Sequence, residues 1–248
     1  MFSARTVAGA IAALVGITVA TVGVAGADAW AAPTPTTPTS RPAMVLQALK
    51  DRCTTAVDAR QVELDRLANQ VTLAKNLTAG DRSALTQTIT DQKTGLAALR
   101  ASIVNDADVA ATRADCQKIV PDYHVYILTE PKAHLTIAAA ALGAASTTFD
   151  GVAAKLQAQA DKEQAQGKDV SAANAAIADM KAKDADARAK AGGVPAVVLA
   201  LTPANYDTGH EHDTLVQARG TLVQARGDLG VARQDAAAAA RALGVPAT

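Results

Sequence analysis

From residue 43 onward, apolar residues recur at intervals that alternate between three and four. That is the period of a helix, and a seam kept so narrow belongs to helices packed lengthwise as in a left-handed coiled coil. A half-buried sheet would need alternation with a period of two instead. The first seam runs Leu46, Leu49, Cys53, Val57, Arg60, Leu64, Leu67, Val71 and Ala74, and the second Leu85, Ile89, Gln92, Leu96, Leu99 and Ile103. A later one runs Leu135, Ala138, Leu142, Ala145, Phe149, Val152 and Leu156. The next takes Val170, Ala173, Ile177, Met180, Ala187 and Ala191, with Asp184 in the place of one member. The last takes Leu215, Ala218, Leu222, Ala225, Leu229, Ala232, Ala236, Ala239 and Leu243.

Composition agrees with the period. Alanine, the best helix former, supplies 61 of 248 residues, while aromatic residues make up 2%. The fold class is therefore all-α, an elongated antiparallel bundle of long coiled-coil-like helices joined by short connections. The last seam contains a duplication: Thr214-Leu215-Val216-Gln217-Ala218-Arg219-Gly220 recurs unchanged as Thr221 to Gly227. A seven-residue unit can be copied without breaking a seam, because each copy returns the chain to the same face.

Cap signals divide the bundle, taken as residues 43–248, into helices over about 43–76, 79–104, 107–119, 131–166, 170–192 and 203–243. Thr78 with Asp81 resembles a capping box, Asp169 can cap after Gly167, and Pro203 follows Thr202 at a first helical position. Gly192-Gly193-Val194-Pro195 is expected to stop the fifth helix. Two apolar stretches, Tyr123–Leu128 and Val194–Leu201, are expected to be short helical or extended segments closing the bundle ends.

The chain start carries an export pattern. Arg5 precedes an uncharged run from Val7 to Val24, and small-residue cleavage patterns follow at Ala25-Gly26-Ala27 and Ala29-Trp30-Ala31. Residues 1–31 read as a signal peptide, cleaved after Ala27 or Ala31; left uncleaved, the same run would hold the protein at a membrane. Residues 32–42 hold four prolines among threonines and read as a disordered linker. The expected location is the cell envelope or the extracellular space. There an even cysteine count favours a disulfide, and Cys53 and Cys116 are the two cysteines. A helix running from 107 must double back across the first to bring Cys116 to Cys53.

Little in the sequence supports catalysis. His210-Glu211-His212-Asp213 is rich in ligand types, but histidines two apart on a helix point to different sides and cannot share one ion. No nucleophile elbow, phosphate loop or dinucleotide fingerprint occurs. His124 and His134 are expected to be surface or satisfied polar groups, and Arg60 and Asp184 to sit at bundle edges rather than form a buried pair that fixes register. Asn76-Leu77-Thr78 is a formal glycosylation sequon at a helix end. No catalytic, cofactor or metal residues are expected. Twenty-four basic against twenty-four acidic residues give no electrostatic reason for a nucleic-acid partner.

The stretch Pro121-Asp122-Tyr123-His124-Val125-Tyr126-Ile127-Leu128-Thr129-Glu130-Pro131-Lys132-Ala133-His134-Leu135, with Leu201-Thr202-Pro203-Ala204-Asn205-Tyr206, resembles a group of uncharacterised exported, alanine-rich helical proteins of high-GC actinobacteria. The resemblance implies a cell-envelope or extracellular setting and brings no activity or site residues with it. The expected role is a non-enzymatic structural or protein-interaction protein, with an unknown protein or envelope partner or self-association. The alternative is a carrier whose amphipathic helices bind lipid or another apolar ligand.

Overall fold

The computed structural model of the chain describes residues 40–206 and 209–245. The signal peptide expected over 1–31 and the linker up to residue 39 lie outside the described residues. Among the described residues there are seven α-helices and no strand: α1 (Arg41–Leu73), α2 (Ala79–Asn105), α3 (Val109–Lys118), α4 (Glu130–Ala165), α5 (Ser171–Leu199), α6 (Pro203–Tyr206) and α7 (Glu211–Ala242). A π-helical turn, Val125–Thr129, leads into α4. It occupies one of the two apolar stretches expected at the bundle ends.

The first three helices form a hairpin with a short strut. The turn after α1 is tied by Arg82, whose guanidinium donates to the carbonyls of Val71, Thr72 and Ala74, the acceptors left bare at the end of α1. Thr78 opens α2 by accepting from the Asp81 amide at 3.0 Å. Antiparallel register is set by pairs along the hairpin: Arg100 with Asp58 at 2.7 Å, Lys93 with Asp65, and Lys50 reaching the Asp106 carbonyl at 2.6 Å. The seams meet as their spacing predicts, with Val57, Leu64, Leu67, Leu85, Leu96 and Ile103 essentially sealed from solvent. Asp108 then caps α3, accepting from the Ala110 and Ala111 amides. This helix turns back onto α1 and joins Cys116 to Cys53 in a disulfide with a Cα–Cα distance of 5.6 Å.

The second half is a three-helix bundle of α4, α5 and α7, running up, down and up. Alanines dominate where α5 meets α7: Ala187, Ala191, Ala218 and Ala225 are all buried. Asp228 of α7 accepts from Lys190 of α5 and lies 3.8 Å from Lys183. The Lys190 hydrogen bond, aided by the charges of both lysines, holds the Asp228 carboxyl below the usual carboxylate range.

Four expectations need correction. The fifth helix does not stop at Gly192–Pro195 but runs through to Leu199. Proline in a helix interior costs about 3 kcal/mol, and burial of Val194 and Val198 against the neighbouring helices outweighs that local preference. The helix expected over 203–243 is two helices, α6 and α7, with Gly209 at a bend before α7 where a Cβ would run into the Glu211 carboxylate and the Asn205 carbonyl. Helix α1 starts at Arg41, inside the expected linker, with Pro42 in its first turn, where a missing N–H costs nothing. On α4 the buried face is Lys132, Ala133, Thr136, Ala139, Ser146, Ala153, Leu156 and Ala160. The expected seam flanks that face: Leu156 is buried, Leu135, Leu142, Ala145, Phe149 and Val152 are half-buried against the buried clusters, and Ala138 is exposed. Most of the residues on the buried face of α4 are small, and the larger Leu135, Leu142 and Phe149 lie on its flank.

Two outcomes test this fold. Replacing Cys53 and Cys116 by serine should lower stability by about 4 kcal/mol, the loop-closure value for the 63 residues they span, read from denaturant midpoints with helix content kept. For Asp228, a lowered folded pKa means that its stabilisation is complete above the ordinary carboxyl value and is lost as pH falls through the lowered one. Asp228→Asn should therefore flatten the acid limb of the stability–pH curve, measured by denaturant melts from neutral pH downward.

Candidate functional site

Three arrangements bring polar or exposed apolar groups together. The first is a knot where the two halves join. Gln92, the polar member of the α2 seam, is buried and donates to the Tyr123 carbonyl at 2.8 Å and to the Thr129 hydroxyl at 2.7 Å. His124 has a positive φ of 45°, holds the Pro121 carbonyl at 2.7 Å through Nδ1, and packs its ring 4.6 Å from that of Tyr206. Lys132 is buried at 4% exposure, with its ammonium donating to the carbonyls of Leu199 and Leu201 at the end of α5. Burial pushes this amine below the ordinary lysine value, and the helix end supplies compensating partial negative charge. These contacts pair Gln92, Thr129, His124 and Lys132 with partners from both halves, so the knot is a joint.

The second arrangement corrects the expectation for Asp184. It is 5% exposed, not at an edge, and pairs with Arg188 at 3.2 Å. Arg188 also reaches across to α4, to Ser146 Oγ at 3.0 Å and Asp150 at 2.6 Å. The cluster fixes the register of α5 on α4. Arg60, by contrast, is half-buried and its guanidinium lies over the Tyr126 ring at 5.2 Å.

The third is an open trough between α4 and α7. Its first part, about 670 Å³, lies between Ile127, Leu135 and Ala138 on one side and Tyr206, Val216 and Arg219 on the other. A second depression of about 440 Å³ shares Leu135, Ala138 and Arg219 and carries the trough on to Leu142, Val223 and Arg226. Its walls are large exposed side chains: Tyr126, Ile127, Val216 and Val223, the last at 66% exposure. The charged groups along it are one-sided. Glu130 is already paired with Arg66 at 3.0 Å, whereas Arg219 and Arg226 have no ion pair or hydrogen bond among the described residues.

The remaining singled-out residues stay apart. His210 and His212 are exposed, and His210 is 3.6 Å from Asp213, while Glu211 is buried. His134 is exposed and bonds Gln70 at 3.0 Å; His124 is a satisfied core group. Asn76 is exposed in the turn between α1 and α2. Among the described residues no group of three or more His, Cys, Asp or Glu side chains is placed to hold a metal ion.

Reading single seams misses the trough, because it is built from two of them. The signal was nevertheless present in the duplicated heptad. Val216, Arg219, Val223 and Arg226 form a second stripe with spacings of three and four, one position beyond the buried Leu215, Ala218, Leu222 and Ala225. No protein-family model, no curated protein and no solved structure matches the chain.

The register cluster has a testable consequence. Arg188→Ala leaves the buried Asp184 carboxylate without its cation and should lower the denaturant midpoint, by less than breaking a fully buried pair would because Arg188 is half exposed to water. Adding Asp184→Ala should recover part of the loss, as judged by thermal or denaturant melts of the single and double variants.

Proposed function

We propose that this chain is an exported, non-enzymatic protein-interaction protein of the cell envelope or extracellular space, in an actinobacterial setting, and that the α4–α7 trough is its interaction surface. The observation that carries the reading is the outward-turned seam of α4. Leu135, Ala138 and Leu142 repeat with coiled-coil spacing, yet the bundle leaves them at its edge beside exposed Val216 and Val223. Monomeric proteins rarely leave a continuous apolar strip uncovered, and such strips mark contact surfaces. The Cys53–Cys116 disulfide is compatible with an oxidising compartment outside the cytosol. The n-region at Arg5, the apolar run and the A-x-A patterns support export.

A second reading, a carrier for lipid or another apolar ligand, draws on the same trough. What favours it is the segment Val125–Ala165, which by length and composition alone is apolar enough to cross a membrane. Flotation with neutral and anionic vesicles separates the two readings: recovery with the vesicles selects the carrier.

The export reading is checked by expressing the full chain in its producing cell and fractionating it. The expected outcome is a protein outside the cytosol, starting after Ala27 or Ala31, with no free thiol when denatured without reductant. A cytosolic protein with residues 1–31 intact and two free thiols overturns it.

A further inference from the structure

We propose that the occupant of the trough is an amphipathic helix of a partner protein, acidic along one flank. The inference rests on the interaction reading above and adds the partner's chemistry. Helices α4 and α7 run in the same direction, and their outward residues advance together: Leu135 and Ala138 lie by Arg219, and Leu142 lies by Val223 and Arg226. Both walls therefore repeat at the same interval. The strip from His212 to Arg226 is about 21 Å long at 1.5 Å per residue, which matches a helix of two heptads. Such a helix would lie where the fourth member of a bundle lies, with its own apolar stripe between the two walls.

Charge identifies the flank. Arg219 and Arg226 are seven residues apart on α7, exposed, and free of ion pairs among the described residues. Glutamate or aspartate at seven-residue intervals on the incoming helix meets both guanidiniums, as flanking charges select partners in coiled coils. A second copy of this chain brings arginine against arginine if it docks by the same face. The acidic ladder on α1 is already engaged: Asp58 pairs with Arg100 and Asp65 with Lys93. Residues 1–39 contain a single acidic residue, Asp28, and so lack a matching flank. A small amphiphile is disfavoured by shape, because such ligands bind in clefts that bury most of their surface, whereas this trough is open along its length.

The test uses the purified disulfide-bonded protein and a labelled synthetic peptide of about three heptads, with leucine at the seam positions and glutamate at seven-residue intervals on one flank. Fluorescence anisotropy should show binding of this peptide about tenfold or more tighter than its lysine counterpart. In the Arg219→Glu/Arg226→Glu variant, with its helix content and melting temperature checked, the preference should invert. Absence of peptide binding, or binding indifferent to charge, overturns the proposal, as does saturable binding of oleate that the peptide fails to displace. A photo-reactive residue at Val223, compared with one at exposed Val62 on α1, separates this from the broader reading. Protein adducts in envelope preparations at Val62 alone keep the interaction role and remove the trough. No adduct at either position counts against the interaction role itself.

Discussion

Close approach of alanine-lined helices is the constraint from which the rest of this structure follows. Alanine loses no rotamer freedom on burial and favours the helix, but each buried methyl contributes little apolar area. Seams built from Ala187, Ala191, Ala218, Ala225 and Ala232 must therefore gain their stability from tight contact between backbones along many turns. That geometry has a side effect. When the smallest residues occupy the inner face, leucine, valine and phenylalanine move to the flanks. On α4, where small residues hold the inner face, Leu135, Leu142 and Phe149 are half-buried for that reason; on α7 Leu215 and Leu222 keep the inner face, and Val216 and Val223, one position on, are exposed. The outward apolar strip is thus a product of how the core is packed.

The two halves solve the packing problem differently. The α1–α2 hairpin uses leucine, isoleucine and valine at its seam and adds a covalent tie to α3. The α4–α5–α7 bundle uses small residues and adds polar staples, with Asp228 joined to Lys190 and Arg188 reaching Ser146, Asp150 and Asp184. Between them the knot of Gln92, Thr129, His124, Tyr206 and Lys132 fills the place where seams end. Lys132 belongs there because its ammonium group satisfies the Leu199 carbonyl left bare at the end of α5 together with the Leu201 carbonyl just beyond it.

Most of the fold was readable as period and punctuation. The buried residues of α2 are the six members of its predicted seam, and those of α7 all but one follow its predicted seam as well, because on these helices the leucines and isoleucines fall on one stripe. The reading failed where apolarity was spread around the helix. On α4, alanine on several faces made two stripes equally helical, and the choice between them depends on which neighbour comes closer, which is a tertiary matter. Pro195 misled for a related reason: local propensity marks a stop, while Val194 and Val198 hold the helix together from outside it. The disulfide was legible because two cysteines offer one intramolecular pairing. The trough was legible only as the outer stripe of the duplicated heptad, since its walls come from segments more than sixty residues apart.

The position of the covalent tie has a bearing on the order in which the molecule is made. Cys53 and Cys116 both precede α4, and everything that contributes to the three-helix half follows them in sequence. In a chain that emerges amino end first, both cysteines appear before residue 130, so the bond between them can close before the three-helix half is present. A hairpin tied in this way would hold Gly95, against which Tyr123 lies, and Gln92, which bonds Thr129, in place for the helices that follow.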